Sequence, residues 1–88
     1  LLDADRLRYP LTLRRWREGD RFIPFGMTGS KKVSDFLVDA KVSMPEKQRQ
    51  FVLLSGDEIA WLVGRRIDDR YRLTPDTENV LRITKEIV

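Results

Sequence analysis

Basic side chains surround a tryptophan near the start of the chain, and this is the first segment in which chemistry is expected. Residues 14–21 include Arg14, Arg15, Arg17 and Arg21, with Trp16 between them. Guanidinium groups bind phosphate through paired hydrogen bonds, and an indole ring offers a stacking surface. The segment therefore predicts contacts with the phosphate backbone of a nucleic acid. The alternative is a solvated basic surface around a core tryptophan.

A second basic group ends the sequence Gly26-Met27-Thr28-Gly29-Ser30-Lys31-Lys32. Ser30 is expected to cap a helix over about residues 31–40. This would bring two ammonium groups to the positive end of the helix, where an anion would relieve their repulsion. The stretch departs from the nucleotide-binding pattern G-x-x-x-x-G-K-[ST], so it predicts a phosphate-backbone site. The alternative is that Asp35 offsets both lysines within the helix.

The aspartates offer weaker candidates for catalysis. Asp68 and Asp69 lie among arginines in the segment Gly64–Arg70, and flanking arginines favour internal ion pairs over a magnesium or acid–base site. Asp35 and Asp39 share a helix face that is expected to be solvated. An enzyme using Lys31 and Asp35 would require a closed pocket in which both groups converge.

The composition excludes several classes of active site. The 88 residues include neither histidine nor cysteine, which removes the usual zinc sites, histidine bases and thiol nucleophiles. We therefore expect no catalytic residue, no metal site and no cofactor in this domain. Residues 1–32 hold eight Lys or Arg against four Asp or Glu, and arginines outnumber lysines twelve to five. This choice of cation suits nucleic acid.

The length and hydropathy predict one globular domain over residues 1–88. Hydrophobic residues make up 41% and charged residues 35% of the chain. No apolar run approaches the ~20 residues that a membrane span requires, so no membrane partner is expected. The start of the chain has no signal-peptide pattern and is interpreted as a cut through a longer protein. The absence of cysteine is compatible with a reducing cytoplasm, the expected location.

The apolar pattern predicts an α+β fold, a mostly antiparallel sheet with one main helix. Val33, Phe36, Leu37 and Ala40 form one helical face. Strands are expected at 11–13, 51–54, 59–63, 70–73 and 80–88, with a hairpin joining the second to the third. Gly19-Asp20 predicts a turn, and Pro45 starts a short helical turn. Phe22, Phe25 and Met27 are expected to pack the loop 22–29 against the core.

The order of these motifs is more specific than any one of them. The first series is Gly19-Asp20-Arg21-Phe22, Pro24, Gly26-Met27, Gly29-Ser30-Lys31-Lys32, Asp35-Phe36 and Asp39-Ala40-Lys41-Val42. The second is Ile59, Trp61, Val63-Gly64, Arg66-Ile67-Asp68 and Thr77. Together they resemble the C-terminal substrate-binding domain of bacterial tRNA(Ile)-lysidine synthases over residues 11–83.

This resemblance implies a fold, a reaction and partners. The fold would be a layered α+β sandwich similar to a domain of phenylalanyl-tRNA synthetase β chains. The family uses ATP to adenylate the wobble cytidine of a CAU anticodon, and lysine then displaces AMP to form lysidine. ATP, magnesium and lysine would bind to an N-terminal catalytic domain, whose Ser-Gly-Gly-x-Asp-Ser loop this chain lacks. The partners would be tRNA(Ile), held toward its acceptor stem, and that catalytic domain.

The resemblance and the charge pattern together give one set of candidate phosphate contacts. Arg21, Lys31 and Lys32 match the family motif, while Arg14, Arg15, Arg17 and Arg66 are added on charge and spacing. A different hypothesis is a protein-interaction module whose sheet edge or apolar loop packs on the parent enzyme or forms a homodimer. It predicts an exposed apolar patch and association that is insensitive to salt.

Overall fold

A computed structural model describes residues 1–84, which form short strands and two short helices. In chain order these are β1 (Leu2–Asp3), β2 (Leu11–Arg15), β3 (Arg21–Phe22), β4 (Lys31–Lys32), α1 (Val33–Asp39), α2 (Met44–Gln48), β5 (Phe51–Ser55), β6 (Glu58–Leu62), β7 (Arg66–Ile67) and β8 (Val80–Leu81). Single 3-10 turns occupy Ala4–Arg6 and Asp69–Tyr71. The fold is α+β with antiparallel sheets, as predicted from the sequence.

The central sheet has four antiparallel strands in the order β2-β5-β6-β7. Its middle pair is the predicted hairpin, joined by a turn at Gly56, where φ is +58°. A β-bulge between Leu53 and Leu54 shifts the register of this hairpin. The predicted first strand is also confirmed, and it extends to Arg15 opposite Phe51.

Each face of the central sheet has its own apolar cluster, because successive side chains of a strand point to opposite faces. We call the first the helical cluster, and it comprises Phe22, Val33, Leu37, Val42, Val52, Leu54, Ile59 and Leu62. We call the second the terminal cluster, and it comprises Leu2, Leu7, Leu53, Ala60, Val63 and Tyr71. The central sheet is therefore the middle layer of a sandwich, with α1 on one face and β1 and β8 on the other.

The main helix begins later than the sequence predicts. Lys31 and Lys32 form β4, which pairs with β3, and α1 begins at Val33. Pairing with Arg21 and Phe22 holds both lysines in an extended conformation, so Ser30 does not cap the helix. Lys32 is the N-cap residue of the seven-residue α1, so neither lysine lies in the first turn of the helix where the sequence placed them. The second helix does follow its signals, with Ser43 as N-cap and Pro45 in its first turn.

The loop between β3 and β4 is held by hydrogen bonds to the segment after β7. The carboxylate of Asp68 is fully buried and accepts a hydrogen bond from the Ile23 N–H at 2.8 Å. The Ile23 carbonyl accepts one from the Asp69 N–H at 2.6 Å. The Gly26 N–H donates to Asp69 at 3.1 Å. The expectation that Phe25 and Met27 pack the loop down is wrong, because they are 50% and 40% exposed. Hydrogen bonds between the backbone of this loop and the segment 67–69, including its two carboxylates, hold the loop instead.

The last part of the chain also differs from its predicted strands. The segment expected as a strand at 70–73 is not one: Arg70 and Tyr71 end the 3-10 turn, where the Asp68 side chain accepts the Arg70 N–H, and Arg72 is its C-cap. The expected strand at 80–88 is confirmed for Val80 and Leu81, which pair with β1. Residues 85–88 lie outside the described part of the chain.

Removing the Asp68 carboxylate should destabilise the fold strongly. Asp68→Ala would leave the Ile23 and Arg70 N–H groups without their acceptor and deprive the Arg70 guanidinium of a buried partner. We expect the free energy of unfolding, measured by urea denaturation, to fall by about 3 kcal/mol. Asp76→Ala, at an exposed site, should change it by less than ~0.5 kcal/mol. Equal effects of the two substitutions would contradict this role.

Candidate nucleic-acid interface

Arg14 is part of a folded ion pair at the base of the turn between β2 and β3. Its two terminal nitrogens donate to the carboxylate of Asp20 at 2.9 and 3.0 Å, and both side chains are largely buried. Asp20 also accepts the Arg17 N–H at 2.7 Å. Gly19, with φ of +90°, completes the turn predicted at this point. The charge of Arg14 is therefore neutralised within the turn by Asp20.

The charges of this pair shift both pKa values. Burial on its own would raise the pKa of Asp20, but the hydrogen bonds from Arg14 and from the Arg17 N–H outweigh it and lower that pKa below its ordinary 3.8. The hydrogen bond to Asp20 in turn raises the pKa of Arg14. Asp20 therefore stays ionised in the folded protein at any pH near neutrality.

Arg21 and Lys32 are neighbours across the β3–β4 pair. Cross-strand partners project to the same side, so both point to solvent while Phe22, the next residue of β3, points into the helical cluster. The Arg21 Nε donates to the Ser30 hydroxyl at 2.7 Å, which orients the guanidinium without neutralising it. Neither cation has an acidic partner within residues 1–84. They form a pair of available positive charges on a fixed backbone.

Lys31 lies on the same short strand but is engaged differently. Its ammonium forms an ion pair with Asp39, near the end of α1. The side chain of Lys31 is about one-quarter exposed, whereas that of Asp39 is mostly exposed. Asp35, expected to offset the lysines, is exposed on α1. Asp39 therefore partly neutralises the charge of Lys31.

Arg66 reaches the helical cluster from β7. It pairs with Leu62 in the sheet, and its guanidinium carbon lies 5.3 Å from the ring centroid of Phe36. Phe36 in turn packs edge-to-face on Phe22, with the centroids 5.3 Å apart. This aromatic pair supports Arg66 while leaving its side chain exposed, a geometry in which a guanidinium keeps its hydrogen-bond donors available.

Arg15 and Arg17 extend the basic surface beyond the end of β2. The guanidinium carbon of Arg15 lies 5.9 Å from the ring centroid of Phe51, while Arg17 is exposed in the turn. Trp16, between them, is half-buried against the helical cluster. Its indole Nε1 donates to the carbonyl of Lys47 at 2.7 Å, so it serves the core, as one of the two interpretations expected.

The candidate cations lie at three places on the fold: Arg21 and Lys32 on the β3–β4 pair, Arg66 over Phe36, and Arg15 with Arg17 around the end of β2. The Asp20 carbonyl accepts the Val33 N–H at 2.9 Å, which joins the turn to the start of α1. We use the name basic surface for the five candidate cations that have no acidic partner within the described residues: Arg15, Arg17, Arg21, Lys32 and Arg66. Sequence reasoning missed the residues that orient them. Phe36 had an apolar-face signal, but nothing in the sequence marked Ser30 or Phe51 for this role.

The carboxylates form ion pairs and hydrogen bonds, as their flanking arginines predict. Asp68 binds the Arg70 guanidinium at 2.9 and 3.0 Å, and Asp69 binds Arg72 at 3.0 Å. The Asp68 hydrogen bond is the main reason that the pKa of Arg70 is raised. Within residues 1–84, no group of three or more possible metal-binding side chains occurs. Neither Lys31 nor Asp35 lines the clefts of 470, 350 and 260 Å³ on the surface.

Comparisons with known proteins agree with the fold described above. The sequence model of the family described as the TilS substrate C-terminal domain matches residues 11–84. The chain belongs to this family. A solved structure described as the TilS C-terminal domain is similar in fold, with a TM-score of 0.71 and 27% identity, over 82% of this chain and 56% of the other.

Curated relatives of this TilS substrate domain are named tRNA(Ile)-lysidine synthase. The protein of Parabacteroides distasonis is 56% identical over 80 residues, covering 91% of the chain and 18% of that protein. The protein of Bacteroides thetaiotaomicron is 52% identical over 79 residues, covering 90% and 18%. The chain therefore spans less than a fifth of the length of these relatives. In residues 1–84 no helix is long and apolar enough to cross a membrane.

Breaking the Arg14–Asp20 pair should change the titration of Asp20. In Arg14→Ala, burial remains while the main stabilising hydrogen bonds are lost, so the pKa of Asp20 should rise. The folded pKa lies below the ordinary value, so ionised Asp20 stabilises the protein above that value and loses this effect as pH falls through the folded pKa. The variant should lose stability at neutral pH and less in acid.

Carbon-detected NMR of the side-chain carboxyl groups would measure this shift directly. Arg82→Ala, which removes an exposed arginine at the far end of the chain, is the control and should leave the Asp20 titration unchanged. An unshifted Asp20 in Arg14→Ala would show that Arg14 does not hold the turn.

Proposed function

We propose that this chain binds tRNA by its phosphate backbone, as the non-catalytic substrate domain of a tRNA(Ile)-lysidine synthase. The observation that carries the proposal is the basic surface. Its side chains lie on paired strands or against aromatic rings, and none forms an ion pair with a carboxylate of residues 1–84. The family description, a substrate domain, supports it. So do the names of the relatives, which refer to tRNA(Ile).

The choice of RNA backbone rests on the chemistry of the basic surface. An A-form stem hides its base edges in a deep groove and presents phosphates and 2′-hydroxyl groups to a protein. Arg21 and Lys32 offer adjacent donors on one side of a two-stranded ribbon, and Arg66 offers a guanidinium braced by Phe36. This arrangement suits a stem, and we propose that the acceptor stem is the part held.

The seven candidate residues then divide into two roles. The basic surface contacts phosphate directly. Arg14 holds the turn that presents Arg15 and Arg17, through its bonds to Asp20. Lys31 holds α1 through Asp39 and exchanges this partner for a phosphate when RNA is present.

The chemistry belongs to the longer protein in this proposal. A catalytic domain elsewhere in the enzyme binds ATP, magnesium and lysine, and converts the wobble cytidine of a CAU anticodon to lysidine in the cytoplasm. The domain described here adds affinity and orientation at a distance from the anticodon. Linking two binding regions on one RNA raises overall affinity without any new catalytic group.

A second function is favoured by one observation, the exposure of large apolar side chains on a fixed loop. Phe25 and Met27 are half-exposed although backbone bonds hold their loop in place. Such side chains suit contact with another protein surface, either the catalytic domain or a second copy of the chain. This interaction module would associate in a manner that is insensitive to salt.

Titration against unmodified tRNA(Ile) carrying a CAU anticodon distinguishes the two functions. Phosphate binding releases counterions, so affinity for tRNA should fall steeply from low to moderate salt. A higher affinity for tRNA(Ile) than for tRNA(Met) would show that the domain also contributes to the choice of tRNA. No binding even at low salt would reject the RNA role in favour of the interaction module.

Substitution of the cross-strand pair tests the proposed contacts. Arg21→Ala with Lys32→Ala should weaken tRNA binding and lower the slope of log K against log salt by ~0.7–0.9 for each phosphate that is no longer neutralised. Arg8→Ala with Arg82→Ala removes the same charge from residues outside the basic surface and should leave the slope nearly unchanged. An unaltered slope in the first variant would remove Arg21 and Lys32 from the interface.

A further inference from the structure

We propose that a groove beside the basic surface binds an unpaired nucleotide of the RNA, with its base placed against Trp16. The groove lies between α1, α2 and the end of β2, and its volume is about 470 Å³. The inference rests on the proposed function, because the same RNA would present the nucleotide. It adds contact with a base to a surface that otherwise contacts phosphate.

The groove contains exposed apolar side chains that do not contribute to the core of the domain. Trp16, Val38 and Met44 line it, and the last two are 59% and 63% exposed. Val38 lies outside the apolar face of α1 that packs on the sheet, and Met44 begins α2. The volume falls within the ~300–1,000 Å³ that is usual for sites of small ligands.

The indole of Trp16 is suited to stacking because its polar atom is already satisfied. The Nε1 donates to the carbonyl of Lys47, which fixes the ring between β2 and α2. Contact with the helical cluster holds it from the other side. The part of the ring that lines the groove therefore offers an immobile aromatic surface, and bases stack on such surfaces with little dependence on sequence.

The charges around the groove favour an anionic ligand. Arg15 and Lys47 both line it, against one carboxylate, that of Glu18. Arg17 follows Trp16 in the chain and belongs to the basic surface. The amide of Gln48, which also lines the groove, can donate to and accept from the edge of a base. The groove therefore offers an aromatic ring and apolar side chains for a base, an amide for the edge of that base, and cations for a phosphate.

A protein segment fits the groove less well. A helix that docks in a groove uses a row of apolar anchors at positions i, i+3, i+4 and i+7. Of the described residues, three apolar side chains line the groove, and they lie beside cations that a nonpolar helix face would leave without partners. The small number of apolar side chains and the cations beside them therefore favour a single base with its phosphate.

The direct test follows the indole of Trp16 as RNA is added. Trp61 is the other tryptophan, so Trp61→Phe isolates the emission of Trp16. Single-stranded oligoadenylate should quench this emission in a saturable manner, and a blunt-ended RNA duplex of equal length should not. If Trp61→Phe does not fold, the two indole N–H signals of the unmodified protein, assigned with Trp16→Phe, give the same information by NMR.

A matched pair of substitutions locates the binding. Val38→Glu places a carboxylate in the groove and should weaken oligoadenylate binding by about tenfold. Val80→Glu makes the same change at a position 51% exposed in β8, on the opposite layer, and should leave it unchanged. Equal affinities in the two variants would exclude the groove as the site.

The outcomes separate this inference from the function on which it rests. Salt-sensitive tRNA binding without a response of Trp16 to oligoadenylate overturns the nucleotide site and leaves the phosphate-binding role in place. Failure of both RNAs to bind overturns both proposals. Trp16 emission that changes with protein concentration, but not with oligoadenylate, assigns the groove to a second copy of the chain and overturns the nucleotide site.

Discussion

The carboxylate of Asp68 is a charge removed from water inside a small domain, and the position of the loop between β3 and β4 depends on it. Burial of a carboxylate is costly unless hydrogen bonds and an opposite charge compensate it. Here the Ile23 and Arg70 N–H groups and the Arg70 guanidinium provide that compensation. Because Ile23 follows directly after β3, this network also sets where Arg21 and Lys32 lie relative to the central sheet.

Arginine serves two purposes in this fold, and the difference comes from the partner. Arg14 and Arg70 bind carboxylates, and their positive charge is used within the protein. Arg15 and Arg66 lie instead over aromatic rings, where the contact braces the side chain without neutralising it. A basic segment therefore contains both structural and available cations, and only the available ones give the surface its positive field.

The sequence predicts the parts of the fold that repeat a strong local pattern. The hairpin of β5 and β6 combines β-rich runs with a glycine turn, and both strands were placed correctly. The start of α1 was not, because the N-cap signal of Ser30 is local, whereas the pairing of β3 with β4 joins residues about ten positions apart. Strands of two residues are too short to show periodicity. The ion pair between Lys31 and Asp39 likewise depends on the strand conformation that the sequence did not reveal.

The two separate apolar clusters have a consequence for how the domain opens. The helical and terminal clusters share no residue within the described part of the chain, and β5 and β6 contribute side chains to both, so we expect these two strands to couple them. β5 and β6 are the two inner strands of the central sheet, so we expect their amide groups to exchange with solvent only when the whole domain unfolds. The two-residue strands β1 and β8 pair only with each other, so we expect partial opening to begin at this pair. Such a fluctuation leaves α1, the β3–β4 ribbon and the Phe22–Phe36 contact assembled.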